Sequence, residues 1–244
     1  MTTVITNKSI SIDSPCPDCS LLMNWTENYP KSEHEQAVVF RSLVATLKCK
    51  PALDVSLETK AVKLLETVTP WSRKSADVFL RSLGRTADES LTEFVQSVLV
   101  IISTANKVIT TAAMKMLKTL IRTRSPKGRL TLVKADLIPR LINTLNPLSL
   151  SLAESVDIHA SLMTSITFFL WLSTPDALSQ LEVKAGDEQP DVRETVFQQV
   201  LAPSEKYVRH LCVNRYSIVD GDQSLNFLLL LAHFLRISVK SDDP

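Results

Sequence analysis

Residues 107–146 read KVITTAAMKMLKTLIRTRSPKGRLTLVKADLIPRLINTLN, and they carry the clearest structural pattern in the chain. Apolar residues recur here at every third or fourth position, which predicts amphipathic helices rather than strands. Pro126 stands at the first turn of the second helix, where its missing N–H costs little. The first helix is expected to bury one face, composed of Val108, Ala112, Met116, Leu120 and Ile121. The last helix follows Asp136 and is expected to bury Leu137, Ile138, Leu141, Ile142 and Leu145.

The same helical period continues on both sides of this stretch. A helix is predicted to follow Ser32, because a Ser with Glu35 three residues later forms a capping box. Its expected buried set is Val38, Val39, Leu43, Val44 and Leu47. Gly84 is expected to end a later, short helix in a left-handed turn. The chain has only 4 glycines in 244 residues, which argues against the many tight turns of a β fold.

Residues 1–30 differ from the rest of the chain, because they are rich in Ser, Thr, Asn and Pro and show no apolar period. We therefore predict a flexible N-terminal segment at 1–30 and one helical domain at 31–244. Within that domain, long helices recur near residues 61, 113, 160 and 228. Their spacing of roughly 50 residues is close to the roughly 40–47 residues of armadillo and HEAT units.

Two strings within residues 107–146 resemble an armadillo repeat junction. Residues 132–146, LVKADLIPRLINTLN, resemble the family's short helix, small-residue turn, and Ile-Pro followed by a Leu-rich second helix. Residues 110–121, TTAAMKMLKTLI, resemble the Ala-Ala start of its third helix. The resemblance implies an all-α fold, an armadillo-like right-handed α-solenoid of about four irregular repeats, in which each repeat buries its apolar face against the next.

The chain departs from importin-alpha and beta-catenin, the best-known peptide-binding armadillo proteins. In those proteins a Trp and an Asn on the third helix of successive repeats grip an extended peptide. The matching positions here are about Lys115 and Thr119, and Asp136 replaces the turn glycine. The resemblance therefore implies the fold without that particular mode of recognition.

Two further expectations concern how the chain ends. Residues 40–54, 201–217 and 218–224 resemble members of a large protist protein family with no characterised activity, and those members continue past the point where this chain stops. That resemblance implies a truncation at the C-terminus. A last helix would also leave an apolar end open, which predicts self-association through Phe227, Leu228, Leu231 and Phe234.

The motifs that carry chemistry are incomplete in this sequence. Cys16 and Cys19 form a CxxC with two thiolates, whereas a structural zinc site needs four ligands. His34-Glu35 begins an HExxH motif, but Val38 stands where the second His belongs. The four glycines are too far apart for a phosphate-binding loop. We therefore predict a non-enzymatic protein with no catalytic residue, no metal and no cofactor.

Several other polar and aromatic residues are interpreted as structural. Asp220-Gly221-Asp222 lacks the rest of a calcium-binding loop and is interpreted as a turn. Trp171 lies beside two phenylalanines in an apolar helix and is expected to pack in the core. Three histidines in predicted helices are expected to be surface or core residues: His159, His210 and His233.

A basic block stands out against a formal net charge of only +1, which by itself indicates no nucleic-acid or membrane partner. Asp136 is the only acidic residue among its nine cations, which are Lys107, Lys115, Lys118, Arg122, Arg124, Lys127, Arg129, Lys134 and Arg140. Lys115, Lys118 and Arg122 have the spacing i, i+3, i+7, so they share one exposed helix face. In a solenoid this face would line the concave groove.

These features favour a non-catalytic protein–protein interaction scaffold that uses the concave face. Its expected partner is a protein with an acidic or phosphorylated segment, held by Lys115, Lys118 and Arg122. The alternative is a binder of nucleic acid or acidic lipid through residues 107–140, although the block has no aromatic residue for base stacking. A simply solvated face, partly neutralised by the acidic stretch 186–194, is the remaining interpretation.

The expected location is cytoplasmic or nuclear. The start of the chain, MTTVITNKSISIDSP, lacks the basic start and the apolar run of a signal peptide. The longest uncharged runs, such as 160–175, contain several Ser and Thr and are shorter than a membrane span requires.

Overall fold

A computed structural model describes residues 32–49, 53–68, 72–84, 87–103, 107–145, 152–181, 191–205 and 207. All the regular secondary structure in these residues is helical, so the prediction of an all-α protein is confirmed. The helices are α1 Glu33–Cys49, α2 Val55–Val68, α3 Arg73–Leu83, α4 Ala87–Ser103, α5 Lys107–Thr123, α6 Pro126–Lys134, α7 Leu137–Leu145, α8 Leu152–Leu170, α9 Pro175–Gln180 and α10 Val192–Val196. A 3₁₀ turn, Trp171–Ser173, follows α8, and a π-helical turn, Phe197–Leu201, follows α10.

Two helix starts were predictable from local sequence. The Ser32 N–H donates to Glu35 Oε2 at 3.2 Å, and the Glu35 N–H donates to Ser32 Oγ at 3.3 Å. This reciprocal pair is a capping box, and it confirms the predicted start of α1. At the start of α6, Pro126 occupies the first turn as predicted, and the preceding Ser125 Oγ accepts the Gly128 N–H at 3.3 Å.

Six of these helices pack in two rows. In one row, α1 packs on α4, α4 on α7, and α7 on the π-helical turn. In the other row, α2 packs on α5 and α5 on α8. The short helix α3 lies against both α1 and α4, where the rings of Phe79 and Phe94 meet Phe40 at centroid distances of 5.6 and 6.3 Å. One continuous apolar cluster extends from Ala37 to Tyr207.

The predicted buried faces are mostly correct, but Ile142 is only partly buried and two other residues are exposed. Val38 and Val108 were expected to face inward, but they are 37% and 50% exposed. In α5 the neighbouring Ile109 is fully buried instead. Because α5 lies between α2 and α8, it is buried on two sides, and a single amphipathic stripe describes it poorly.

Two turn residues adopt conformations that differ from what residue type alone suggests. The expectation of a left-handed Gly84 is wrong, since its backbone is extended at φ −137° and ψ 170°. Glycine is needed there for space, because a Cβ would lie 2.4 Å from the backbone nitrogen of Ser90. Asp136 has the left-handed backbone instead, at φ 55°, in the turn between α6 and α7. Its carbonyl accepts the Arg140 N–H at 3.2 Å and so begins α7.

Several predictions lie outside the described residues. They concern the flexible segment 1–30, the CxxC pair, His210, His233, the turn at 220–222 and the apolar helix around residues 227–234. Among the described residues, the structure has no helix that combines the length and the hydropathy required to cross a membrane.

Candidate functional site

The predicted contact residues lie on the accessible side of α5. Lys115 and Arg122 are exposed and Lys118 is half-buried, whereas Met116, Leu117 and several other residues on the opposite sides of the helix are fully buried. The expected common face is therefore present. Its role in partner binding stays a prediction.

The three cations of this face differ in their local neighbours. The Nζ of Lys115 lies 3.4 Å from Oδ2 of Asp157 on α8. Both side chains are more than half exposed, at 51% and 62%, so this ion pair contributes little to stability. Lys118 and Arg122 form no ion pair with any described residue. They are the two cations of the face whose charge is not already offset within the described part of the chain.

Folding removes two other members of the basic block from the surface available to a partner. Arg124 forms an ion pair with Asp77 on α3, and its side chain is only 18% exposed. The Arg129 guanidinium donates to the carbonyls of Ile121 and Arg122 at 3.0 Å each, which satisfies the C-terminal end of α5. Arg124 therefore links the end of α5 to α3, and Arg129 links α6 to the end of α5.

Arg129 also contacts two aromatic rings at the end of α8 and just after it. Its guanidinium carbon lies 5.2 Å from the ring centroid of Phe168 and 5.3 Å from that of Trp171. These distances correspond to cation–π contacts. Trp171 was expected to be core packing, but it is half-buried and one of its contacts is this cation. Burial lowers the pKa of Arg129, although a guanidinium remains protonated in proteins.

An open groove of about 230 Å³ lies between α2 and α5, beside the cationic face. Its lining residues are Val62, Glu66, Lys107, Val108, Thr111, Ala112 and Lys115. Val62, Val108 and Ala112 make part of the surface apolar, while Glu66, Lys107 and Lys115 bring charge to it. The groove was not foreseen from the sequence, since it depends on the packing of α2 against α5. Val108 gave no signal for it, because its helical spacing predicted a buried position.

The described histidines have structural surroundings. His34 Nδ1 lies 3.4 Å from the Ser82 hydroxyl at the surface. His159 is half-buried, its Nδ1 contacts the Tyr207 hydroxyl, and the two rings stack at 5.8 Å. Burial lowers the pKa of His159 from 6.5 to about 4, so the ring is neutral at pH 7. His159 therefore joins α8 to the segment that contains Tyr207.

The described part of the chain has no group of three or more His, Cys, Asp or Glu side chains that could hold a metal ion. No family model, curated protein or solved structure matches this chain. The candidate site is therefore described by its geometry alone, as the face of α5 and the groove beside it.

Proposed function

We propose that the chain is a non-catalytic protein–protein interaction scaffold whose α5 face binds an acidic or phosphorylated segment of a partner. The observation that carries this proposal is the pair Lys118 and Arg122. They stand four residues apart on one accessible helix face, with no carboxylate partner among the described residues. Like charges at this spacing destabilise a helix by about 0.2–0.5 kcal/mol, and a carboxylate or phosphate from a partner relieves that repulsion.

The arrangement of the helices supports the same function. We propose that the two rows form an armadillo-like right-handed α-solenoid in which α2, α5 and α8 are the third helices of successive repeats. The serial packing of α2 on α5 and of α5 on α8 supports this assignment. So does the left-handed Asp136, at the position where the armadillo pattern has a glycine. In such a solenoid the exposed face of α5 belongs to the concave surface, where an extended segment has access to several helices.

The alternative is a binder of nucleic acid or acidic lipid through residues 107–140. The internal ion pair of Arg124 and the backbone bonds of Arg129 weigh against it, because they break the block into separate patches. The rings of Phe168 and Trp171 are also engaged by Arg129 and so are less available to stack on bases. Affinity for a nucleic acid that falls steeply with added salt would favour this alternative.

Selection from a random peptide library tests the proposal even though the partner is unidentified. Peptides selected by the wild-type chain are expected to be enriched in Asp and Glu. The double variant Lys118→Glu with Arg122→Glu is expected to lose these peptides, with affinity falling at least about tenfold. Helicity and thermal unfolding, measured by circular dichroism, should stay close to wild type.

A matched control separates this face from general positive charge. Lys127 and Lys134 are both exposed on the neighbouring helix α6, so their double replacement by Glu changes the net charge by the same amount. The control should retain the acidic peptides. Selected peptides without acidic enrichment, or equal loss in both double variants, would refute the proposed function.

A further inference from the structure

The groove between α2 and α5 has an apolar lining that is open to solvent. Val108 is 50% exposed in the first turn of α5, whereas Ala112, one turn further on, is only 5% exposed. Val62 of α2 lines the same groove and is half-buried. An aliphatic side chain placed here would remove apolar surface from water on both helices.

The size of the groove limits what it can hold. Its volume of about 230 Å³ is below the roughly 300–1,000 Å³ of pockets that enclose a whole small molecule. It is an open groove between two helices rather than an enclosed cavity. These dimensions suit one branched aliphatic side chain from a longer segment that continues over the surface.

The charged residues around the groove indicate toward which end of α5 the acidic part of that segment lies. Glu66 stands at the α2 side of the groove and repels a carboxylate placed next to the aliphatic side chain. Lys115 lines the groove on α5, but it already has Asp157 as a partner. Lys107, in the first turn of α5, also lines the groove without an ion pair among the described residues, but it is a single cation. Lys118 and Arg122 are two such cations one helical turn apart on α5, so a pair of carboxylates is better matched at their end. The acidic end of a ligand is therefore favoured there.

The helix sets the distance between the two contact points. The apolar part of the groove is centred on residues 108–112, about ten residues before the midpoint of Lys118 and Arg122. At a rise of about 1.5 Å per residue this separation is roughly 15 Å along α5. An extended chain covers that length in about four or five residues.

We infer that this site recognises a two-point ligand, an extended protein segment in which an aliphatic side chain fills the α2/α5 groove and a pair of carboxylates, four or five residues away, contacts Lys118 and Arg122. The inference rests on the proposed function and adds the apolar contact and its spacing. The expected ligand is a protein segment, because a nucleic acid has no aliphatic side chain to place in the groove.

The test uses synthetic fluorescent peptides and the full chain, with affinity measured by anisotropy. The reference peptide carries one Leu and, four and six residues later, two Glu in a Ser/Ala background, because side chains two residues apart lie on the same side of an extended chain. Replacement of Leu by Ser is expected to weaken binding about tenfold or more, as is replacement of both Glu by Gln. A series with the Leu one, two, four, five or seven residues from the first Glu should bind best at four or five.

Protein variants locate the two contacts. Val108→Ser should weaken the reference peptide but leave the Leu-to-Ser peptide unchanged, which is the signature of a direct coupling. Val78→Ser is the matched control, because Val78 is 40% exposed on α3 and does not line the groove. The control should leave both affinities unchanged. Circular dichroism confirms that each variant is folded, and the peptide substitutions test the apolar contact independently of any variant.

The outcomes separate this inference from the proposed function. Equal affinity with and without Leu, or no optimum in spacing, overturns the two-point ligand, even if the Lys118 and Arg122 double reversal still abolishes binding. No binding of the reference peptide overturns the two-point ligand, and it overturns the proposed function as well only if the peptide library also shows no acidic enrichment. Tighter binding to phosphatidylserine vesicles or to single-stranded DNA, competing with the peptide, also overturns the inference and favours a different class of partner.

Discussion

His159 is expected to contribute to the destabilisation of the folded chain by acid. Its ring is half-buried between α8 and Tyr207, and burial lowers its pKa from 6.5 to about 4. In the unfolded chain the imidazole returns to its ordinary pKa and takes up a proton below pH 6.5. Between pH 6.5 and about 4 the unfolded state therefore binds more protons than the folded state. Stability is fully present above the unfolded pKa and falls as the pH is lowered.

The size of this effect follows from the difference between the two pKa values. Each pH unit below 6.5 lowers the free energy of unfolding by about 1.4 kcal/mol until the folded-state pKa is approached. From pH 7 to pH 5 the expected loss is about 2 kcal/mol, and it reaches about 3 kcal/mol near pH 4. This is a large share of the roughly 5–15 kcal/mol that stabilises an ordinary domain.

Urea unfolding followed by circular dichroism at pH 7, 6 and 5 measures the effect. Carboxylates titrate over part of the same range, so wild type is compared with His159→Gln, which keeps a hydrogen-bonding side chain but does not titrate. The carboxylate contributions cancel in the difference between the two curves. If the free energy of unfolding varied with pH in the same way for wild type and His159→Gln, the reasoning would be refuted. Such a result would mean that His159 has the same pKa in the folded and the unfolded state.

Three substitutions test contacts that hold the helices together. Gly84→Ala is expected to lower the free energy of unfolding by about 1–3 kcal/mol, measured by urea unfolding, because its Cβ would meet the backbone nitrogen of Ser90 at 2.4 Å. A stability equal to wild type would contradict that contact. Gly128→Ala places a Cβ 2.8 Å from Arg124 Nε and should destabilise the wild type, yet stabilise an Arg124→Ala background by up to about 1 kcal/mol, because alanine is the better helix former. An equal effect in both backgrounds would show that the two side chains do not meet. Arg129→Lys should cost about 2 kcal/mol in thermal unfolding experiments, since an ammonium cannot bond both carbonyls while stacking on two rings. An unchanged melting temperature would mean that these contacts of Arg129 do not stabilise the fold.

The helical class of the protein was accessible from sequence because its signals are local. The capping box of Ser32 with Glu35 and the first-turn position of Pro126 each involve residues within three positions of one another. The apolar period of α7 likewise describes one helix and predicts Leu137 and Leu141 as buried, as they are. Short-range patterns of this kind are written in consecutive residues and need no tertiary information.

The candidate site was only partly accessible, because each of its features depends on residues far apart in sequence. Nine cations form one basic block in the sequence. Arg124, however, forms an ion pair with Asp77, which lies 47 residues earlier in the chain. Arg129 finds its aromatic partners on and just after α8. Helical spacing predicted which residues share the exposed face of α5. It could not predict that Arg124 and Arg129 bind other parts of the chain and so contribute less to the exposed positive charge.

The sequence by itself determined that the chain forms helices, where several of them begin, and which side of α5 carries Lys115, Lys118 and Arg122. Only the tertiary structure decided that Val108 borders an open groove while Ile109 is buried, and that Asp157 reaches Lys115. The reason is physical. Periodicity and capping arise from backbone geometry over a few residues, whereas burial and charge pairing are set by which helices become neighbours.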